Sequence, residues 1–436
     1  MQPRGVQSLQ LIPLVQLQFQ VKVQLIQEFC PFQFFINLKR KEADKKMAII
    51  SIIGAQVPST AFGDVRSAEI LPVVGWTFNY NINSDLINTT LTGSGTVSAS
   101  DSMGIIESGP TSNSTAKIET IKALRYTPGL GALIRFTAVF TTGIQNSTQI
   151  IGIGDDLDGF FFGYNGTSFG ILRRQNGTDN WIPQSSWNTD QFDGTGFSLV
   201  TLNPTQGSVY TIQYQWLGFG DIRFFIENPT TGEPTLVHII RYSNAYTIPS
   251  IMNPTLPIMA QVINSTNSNN IVLKTSSAIG IVEGNGNTNS LVTRNSFSNT
   301  KIGIGNTETS IFSLQNKSIF QSKLNRVRVQ LDMISFLGSA NQNIIFSVVK
   351  NTTLGGAPVF IDISTDTSVI AVDTDGTTLA GGITILTFAF NGPGSTQVPL
   401  QDLDIQINPG EIFTFSAKST SATTDVSIAV SWKELW

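Results

Sequence analysis

The stretch VYTIQYQW, residues 209–216, decides the expected fold. Its four large side chains, from Tyr210 to Trp216, alternate with one valine, one threonine and two glutamines. This period of two is typical of a β-strand with one buried face. The alternation resumes over residues 222–226, a turn-rich segment follows at 227–233, and residues 236–240 supply a returning strand. This order predicts an antiparallel hairpin.

Similar strand patterns recur on both sides of this hairpin, with turn-rich segments between them. They lie at residues 132–140, 159–163, 169–173, 258–262 and 271–281. No stretch after residue 46 shows a sustained helical period, and many strands without intervening helices indicate a sandwich or a barrel. We therefore predict an all-β chain whose residues 61–286 form a large jelly-roll sandwich.

A polar, turn-rich tract, GNGNTNS at residues 284–290, indicates a break between two domains. We place the linker at residues 287–295. A second set of strand patterns then begins, at residues 326–331, 344–349, 383–390, 412–417 and 426–432. Residues 296–436 are thus expected to form a second, smaller β-sandwich.

The first 46 residues differ from the rest, being rich in glutamine and apolar residues and ending in the charged run KRKEADKK. The apolar stretches are too interrupted for a membrane-spanning helix, and no signal-peptide cleavage site follows them. One interpretation is that translation starts at Met47 and that residues 1–46 are not part of the protein. The other is an interfacial or anchoring segment.

Composition excludes several classes of function. The net charge of −4 offers no basic surface for nucleic acid. Because Cys30 is the only cysteine and His238 the only histidine, the chain has no intrachain disulfide, no thiolate metal cluster and no multi-histidine zinc site. Catalysis by a serine or cysteine triad would have a single base, and a structural histidine is the simpler interpretation.

Several segments resemble structural proteins of large DNA viruses and phages. They are RYTPG at 125–129, RFTAVF at 135–140, GDDLDGFFFGYNG at 154–166 and IQYQWLGFG at 212–220, with VSWKEL at 430–435 resembling a closing strand of viral surface modules. In strand order, residues 61–286 also look like a concanavalin-like lectin/glucanase domain. The resemblance implies a virion-surface protein whose first domain binds sugar on a concave face or at rim loops.

Sugar binding needs an aromatic ring for the apolar side of a pyranose and polar side chains for its hydroxyls. The loop NWIPQSSWN, residues 180–188, contains both. We predict a glycan site formed by Trp181, Gln184, Trp187 and Asn188, with Tyr164 and Asn165 as further candidates. The alternative is a loop folded back onto the sandwich with both tryptophan rings buried.

Asp155, Asp156 and Asp158 form a carboxylate cluster in a glycine-flanked turn. Such a loop suits calcium, which prefers several oxygen ligands, but a solvated turn is the alternative. Retaining glucanases of this fold carry a Glu-x-Asp-x-(x)-Glu strand, and the chain has none. We therefore expect no enzymatic activity.

These observations together predict an extracellular or virion-surface structural or adhesion protein that binds glycan. Its expected partners are other virion proteins, host-surface glycan and further copies of itself, such as a trimer; no nucleic acid is expected. Two alternatives stay open: a minor capsid scaffold without a ligand, and a polysaccharide-degrading enzyme.

Overall fold

The computed structural model describes residues 70–284 and 292–436, together with two short strands that pair antiparallel, β1 (Gln33–Phe34) and β2 (Ile52–Ile53). Apart from β1, the predicted leader lies outside the described residues, as does Met47. Residues 69–436 form one compact unit. In the described residues, no helix is long and apolar enough to cross a membrane.

Strands fill most of residues 70–284, in the order that the alternating sequence predicts. They are β3 (Ile70–Thr77), β4 (Ile87–Thr92), β5 (Thr96–Ser100), β6 (Met103–Glu107), β7 (Ser114–Thr120), β8 (Gly131–Phe140), β9 (Ser147–Gly154), β10 (Gly159–Asn165), β11 (Ser168–Gln175), β12 (Thr178–Pro183), β13 (Ser208–Tyr214), β14 (Ile222–Glu227), β15 (Pro234–Ile240), β16 (Ile258–Asn264), β17 (Val272–Thr275) and β18 (Ser277–Glu283).

These strands form two antiparallel sheets. The seven-stranded sheet has the order β12-β11-β10-β9-β16-β7-β4, and the nine-stranded sheet has the order β15-β14-β13-β8-β17-β6-β5, with β18 beside β8 and β3 beside β18. Strand β8 shows how the sequence positions them: Ile134 and Phe136 are buried between the sheets, whereas Arg135 and Thr137 point outward. One apolar core therefore lies between the two layers.

The hairpin predicted from residues 209–240 is confirmed. Strand β13 pairs with β14, and β14 pairs with β15, all antiparallel. The turn between β14 and β15 is stabilised by Asn228, whose side chain accepts a hydrogen bond from the Thr230 N–H at 2.9 Å. Period-two alternation thus identified this part of the nine-stranded sheet correctly.

A second sandwich follows. Its strands are β19 (Val292–Ile304), β20 (Thr309–Asn316), β21 (Ile319–Phe320), β22 (Lys323–Leu324), β23 (Arg328–Gly338), β24 (Asn343–Lys350), β25 (Thr353–Gly356), β26 (Ile361–Asp362), β27 (Ile370–Asp373), β28 (Gly376–Ala380), β29 (Ile383–Asn391), β30 (Gly394–Pro399), β31 (Gln406–Ile407), β32 (Ile412–Ser419) and β33 (Thr424–Leu435).

The second sandwich has its own core. A five-stranded sheet, built around β19-β33-β23-β30, packs on an eight-stranded sheet that contains β25-β28-β20-β32-β24-β29. The apolar side chains between them, including Phe312, Phe346 and Trp432, form a cluster separate from the first core. The predicted fold class, a jelly-roll sandwich followed by a smaller β-sandwich, describes this all-β arrangement.

The predicted linker at 287–295 extends too far. Residues 287–291 lie outside the described residues, but β19 already begins at Val292, which pairs with Leu435. Polar composition alone does not show this pairing, so Val292 to Asn295 were assigned to the linker in error.

Polar contacts join the two sandwiches. Arg326 of the second sandwich forms an ion pair with Asp155 of the first, and both side chains are largely buried. Three further contacts cross the same boundary: Arg125 Nε to the Trp436 carbonyl oxygen at 2.7 Å, Lys122 to Asp404 at 3.4 Å, and Lys350 to Asp85 at 3.3 Å.

Candidate functional site

The structure separates the two tryptophans of the predicted glycan loop. Trp187, which follows a 3₁₀ turn over Gln184–Ser186, is only 3% exposed and packs edge-on against Phe162 and Phe169 in the core. Trp181 lies on the outer face of the seven-stranded sheet, half-buried against a small apolar cluster. The predicted platform of two rings is therefore not formed, and for Trp187 the alternative of a buried ring is what the structure shows.

The polar members of that loop bind backbone. The Gln184 side chain donates to the carbonyl oxygens of Gln191 and Phe192, at 2.9 and 3.1 Å. The Asn188 amide donates to the carbonyl of Ile239 at 2.8 Å and accepts from the Ile239 N–H at 2.9 Å. These amides fasten the loop to the sandwich, so the predicted role of both in binding sugar hydroxyls does not fit their contacts.

The two further candidates differ from each other. Tyr164 is buried edge-on against Phe140 and Phe169, and this burial raises the pKa of its phenol above the ordinary value. Its ring cannot stack on a ligand, which corrects the prediction. Asn165 is exposed at the end of β10, where it pairs with Ser168 of β11.

The carboxylates of the predicted calcium turn point to different partners. Asp155 Oδ1 accepts the N–H groups of Leu157 and Asp158, at 2.6 and 2.9 Å, and its other oxygen pairs with Arg326. Asp156 is exposed and binds Lys117 at 2.9 Å.

Asp158 is held by backbone alone. Its carboxylate accepts the N–H groups of Asn176, Met252 and Asn253 at 3.1, 2.9 and 3.2 Å. No group of three potential metal ligands occurs in the described residues. The three carboxylates therefore bind separate partners and fix neighbouring loops and the second sandwich, and the calcium site stays a prediction.

His238 has a structural setting. It is buried in β15, and its Nδ1 accepts the backbone N–H of Asn188 at 3.2 Å. Burial, with a smaller effect from the charge of Arg241, lowers the pKa of His238 from 6.5 to about 4. The imidazole is neutral at pH 7 and serves as a hydrogen-bond acceptor for the loop, as a satisfied histidine would.

The outer face of the nine-stranded sheet has the features that the predicted loop lacks. Three cavities of about 450, 610 and 690 Å³ are lined by residues of this sheet. Two of them share Thr137, Val209 and Glu227, which lie side by side across β8, β13 and β14. The third, of about 610 Å³, lies at the end of the sheet where β13 stops.

We name this third cavity the Phe219 cavity. Its lining includes two apolar side chains, Leu217 and Phe219, and six polar or charged ones: Gln213, Gln215, Asp221, Arg223, Ser243 and Glu283. The Phe219 side chain is 38% exposed, so an aromatic ring meets solvent beside amide, carboxylate, hydroxyl and guanidinium groups. This is the combination expected of a site for a polar ligand with an apolar face.

A network of contacts orients the polar groups of the Phe219 cavity. The Gln213 amide donates to the Glu283 carboxylate at 2.7 Å, and Asp221 accepts a long hydrogen bond from the Tyr242 N–H, at 3.4 Å. The Arg223 side chain is exposed and forms no ion pair or hydrogen bond within the described residues. Its five N–H donors are therefore available to a ligand.

Aromatic stacking supports Phe219 from behind. The Phe219 ring lies 6.3 Å from the buried Tyr242 ring, which stacks on Tyr246 at 4.1 Å. Arg173 lies over the Tyr242 ring, with its guanidinium carbon 5.4 Å from the ring centre. The loop that carries Phe219 is thus backed by a packed layer, which favours a fixed ring position.

Two glycines shape the loop of Phe219. Gly218 has a φ of +81°, a conformation that L side chains rarely adopt. At Gly220 a Cβ would lie 1.6 Å from the Gln215 carbonyl oxygen, so no larger residue fits without a shift of the backbone. The tight LGFG turn therefore depends on both residues and places Phe219 at the mouth of the cavity.

Sequence reasoning missed this cavity although a signal was present. The LGFG segment follows directly after the strand with two outward glutamines, and glycines that flank an aromatic residue indicate a tight turn that exposes it. Glu283 and Ser243, however, come from distant parts of the chain. No spacing in the sequence connects them with Phe219.

Comparison with solved structures finds partial overlaps with sugar-related proteins. A glycosyl hydrolase family protein from Mycobacterium fortuitum is 9% identical, with a TM-score of 0.34, and the match covers 48% of this chain and 99% of that one. The lectin UEA-II complexed with galactose is 10% identical, with a TM-score of 0.32, and the match covers 49% of this chain and 99% of that one. The Emp47p carbohydrate recognition domain is 10% identical, with a TM-score of 0.31, and the match covers 52% of this chain and 100% of that one.

No protein-family model matches the sequence, and no curated protein matches it. Identity and TM-score in the structural overlaps are low, so the function is inferred from the side chains of this chain itself.

Proposed function

We propose that this chain is a glycan-binding protein and that a neutral sugar binds in the Phe219 cavity. One observation carries the proposal: a half-exposed aromatic ring stands at the mouth of a cavity of about 610 Å³ that amide, carboxylate and guanidinium groups line. Stacking on Phe219 would hold the apolar side of a pyranose, and the polar groups would bind its hydroxyls.

The available donors and acceptors fit hydroxyl groups. Arg223 and Gln215 are exposed and supply donors, while Asp221 and Glu283 supply acceptors. Glu283 is already oriented by Gln213 at 2.7 Å, so a hydroxyl would meet a fixed carboxylate. Preorganised groups of this kind lose little conformational entropy when a ligand binds.

The charge of the Phe219 cavity does not favour an acidic ligand. Two carboxylates, Asp221 and Glu283, and one guanidinium, Arg223, line it, so their charges sum to −1. A strongly acidic polysaccharide would find no field of opposite sign there, which supports a neutral ligand.

The setting is also part of the proposal: an adhesion or structural protein at a virion surface or outside the cell. Two sequence features are consistent with it. Only 13% of residues are charged, and the chain is rich in uncharged polar residues such as asparagine, serine and threonine. A single cysteine lets the chain fold in a reducing compartment and act outside it later.

Binding to an array of neutral and acidic glycans tests the proposal. Phe219→Ala removes the stacking ring and Arg223→Ala removes the free guanidinium, and we expect each to weaken binding by roughly ten-fold or more. Tyr80→Ala is the matched control, since Tyr80 is an exposed aromatic residue outside the cavity lining. No binding by the folded wild-type chain, or unchanged binding by both cavity variants, would refute the proposal.

A polysaccharide-degrading activity would have to use carboxylates of the same cavity. Asp221 and Glu283 are the acidic side chains that line it. Release of reducing sugar from a neutral polysaccharide, abolished by Asp221→Asn or Glu283→Gln, would replace binding by catalysis as the function. Binding without release of sugar supports the lectin-like role.

A further inference from the structure

The chain contains eight Asn-x-Ser/Thr sequences, the acceptor pattern for N-linked glycans, and the structure divides them into two groups. Two acceptor asparagines, Asn264 and Asn316, are 0% exposed. The other six are exposed: Asn88, Asn113, Asn146, Asn165, Asn176 and Asn351. Because an N-linked glycan is bulky and needs solvent, the folded chain could carry one at each of the six exposed positions but at neither buried one.

Asn264 is fixed inside the first sandwich. It ends β16, where it pairs with Ser114 of β7 on one side and with Ser147 of β9 on the other. Its amide nitrogen donates to the carbonyl oxygens of Thr111 and Asn269, at 3.2 and 2.9 Å. A glycan takes the place of one of the two amide hydrogens, so it would break one of these bonds and push a loop away from the sheet.

Asn316 has the same role in the second sandwich. It ends β20, and its amide nitrogen donates to the carbonyl oxygens of Val327 and Ile407, both at 2.9 Å. Its Oδ1 accepts a hydrogen bond from the Asn325 amide at 2.8 Å. Every polar atom of this buried side chain is therefore used, and a sugar on its nitrogen would leave buried carbonyl groups without their donors.

Burial in the folded state gives these asparagines no protection during synthesis. N-linked glycans are attached to the extended chain as it enters the secretory compartment, before a fold has formed. Both acceptor sequences, Asn264-Ser265-Thr266 and Asn316-Lys317-Ser318, lack a proline at the middle position, which is the residue that would block transfer. A chain that entered this compartment would be modified at two places where the fold tolerates no glycan.

We infer that the chain is made and folded where no N-linked glycans are attached. The single cysteine agrees with this, since a chain without an intrachain disulfide gains nothing from folding in an oxidising compartment. The inference does not depend on the proposed glycan site. It adds to the proposed setting that a protein which acts outside the cell leaves the cell already folded.

Two routes of expression in one eukaryotic cell type test the inference. The full chain is made in the cytosol and, behind a cleavable secretion signal, in the secretory pathway. We expect the cytosolic chain to be folded and resistant to protease, and the secretory chain to be retained in the cell. Thr266→Ala with Ser318→Ala removes both acceptor patterns but keeps Asn264 and Asn316, and both substituted side chains are exposed. This variant should be secreted with a yield several-fold above that of wild type.

Thr90→Ala with Thr353→Ala is the matched control. It removes the exposed acceptors Asn88 and Asn351, one in each sandwich, and should be retained as wild type is. Enzymatic removal of the glycans leaves aspartate where each one stood, so mass spectrometry identifies the modified positions. Wild type secreted in folded form, retained wild type without a glycan at either buried asparagine, or a Thr266→Ala, Ser318→Ala variant retained as fully as wild type would each overturn the inference.

Discussion

The only histidine of the chain makes a sharp prediction about stability and pH. His238 is 6% exposed, and its Nδ1 accepts the Asn188 N–H at 3.2 Å. Burial, and to a smaller extent the charge of Arg241, lowers its pKa from 6.5 to about 4. We consider the change of pH from 7 to 5, a range in which most carboxylates stay ionised.

The sign of the effect follows from proton binding. The folded pKa lies below the unfolded one, so between these values the unfolded chain binds more protons at His238 than the folded chain does. The neutral imidazole therefore contributes stability that is present above the unfolded pKa and is lost as the pH falls towards the folded pKa. With pKa values of 6.5 and about 4, the loss between pH 7 and pH 5 is roughly 2 kcal/mol.

Urea unfolding at the two pH values measures this loss. Wild type should lose about 2 kcal/mol of its free energy of unfolding at pH 5. His238→Gln retains a side chain that can accept the Asn188 N–H but cannot titrate, so its stability should stay nearly constant over this range. An equal loss in wild type and variant would show that His238 does not titrate as described.

Four further predictions follow from the contacts. Denaturant unfolding should show that Trp187→Ala lowers the free energy of unfolding by about 3–5 kcal/mol, because it leaves a cavity in the core. Trp181→Ala, on the outer face, should lower it by about 1–2 kcal/mol, because less apolar area is buried there. Asp155→Asn keeps the turn but leaves Arg326 buried without its ion pair, and should cost about 3 kcal/mol in the same assay. Gly220→Ala places a methyl group 1.6 Å from a carbonyl oxygen, so stability should fall by more than ~1 kcal/mol and glycan binding should be lost. A chelator should leave the melting temperature unchanged, and a drop of several degrees would support the calcium hypothesis.

The fold was predictable because alternation is a local property. In β13 the side chains of Tyr210 and Ile212 face the core, and Gln213 faces outward, as the period of two predicts. Each such strand can be recognised without knowledge of its neighbours. The start of β19 could not, because its first residues are fixed by pairing with β33, more than a hundred residues later.

The candidate site was not predictable for the opposite reason. A tryptophan in a polar loop has the same local sequence whether it stacks on a ligand or turns inward. In the fold, the Trp187 ring follows a 3₁₀ turn and lies in the core. Likewise, Asp155 appeared free in its turn because its partner, Arg326, lies 171 residues away. Phe219 is exposed through a positive φ at Gly218, which its sequence permits but does not require.

The joint between the two sandwiches has parts that respond differently to ionic strength. In Lys122–Asp404 and Lys350–Asp85 the carboxylates are mostly exposed, so salt screens these contacts strongly. The buried pair of Arg326 and Asp155 is screened much less. High salt should therefore weaken the two exposed pairs, while the Arg326–Asp155 pair and the hydrogen bond from Arg125 to the Trp436 carbonyl oxygen continue to join the sandwiches.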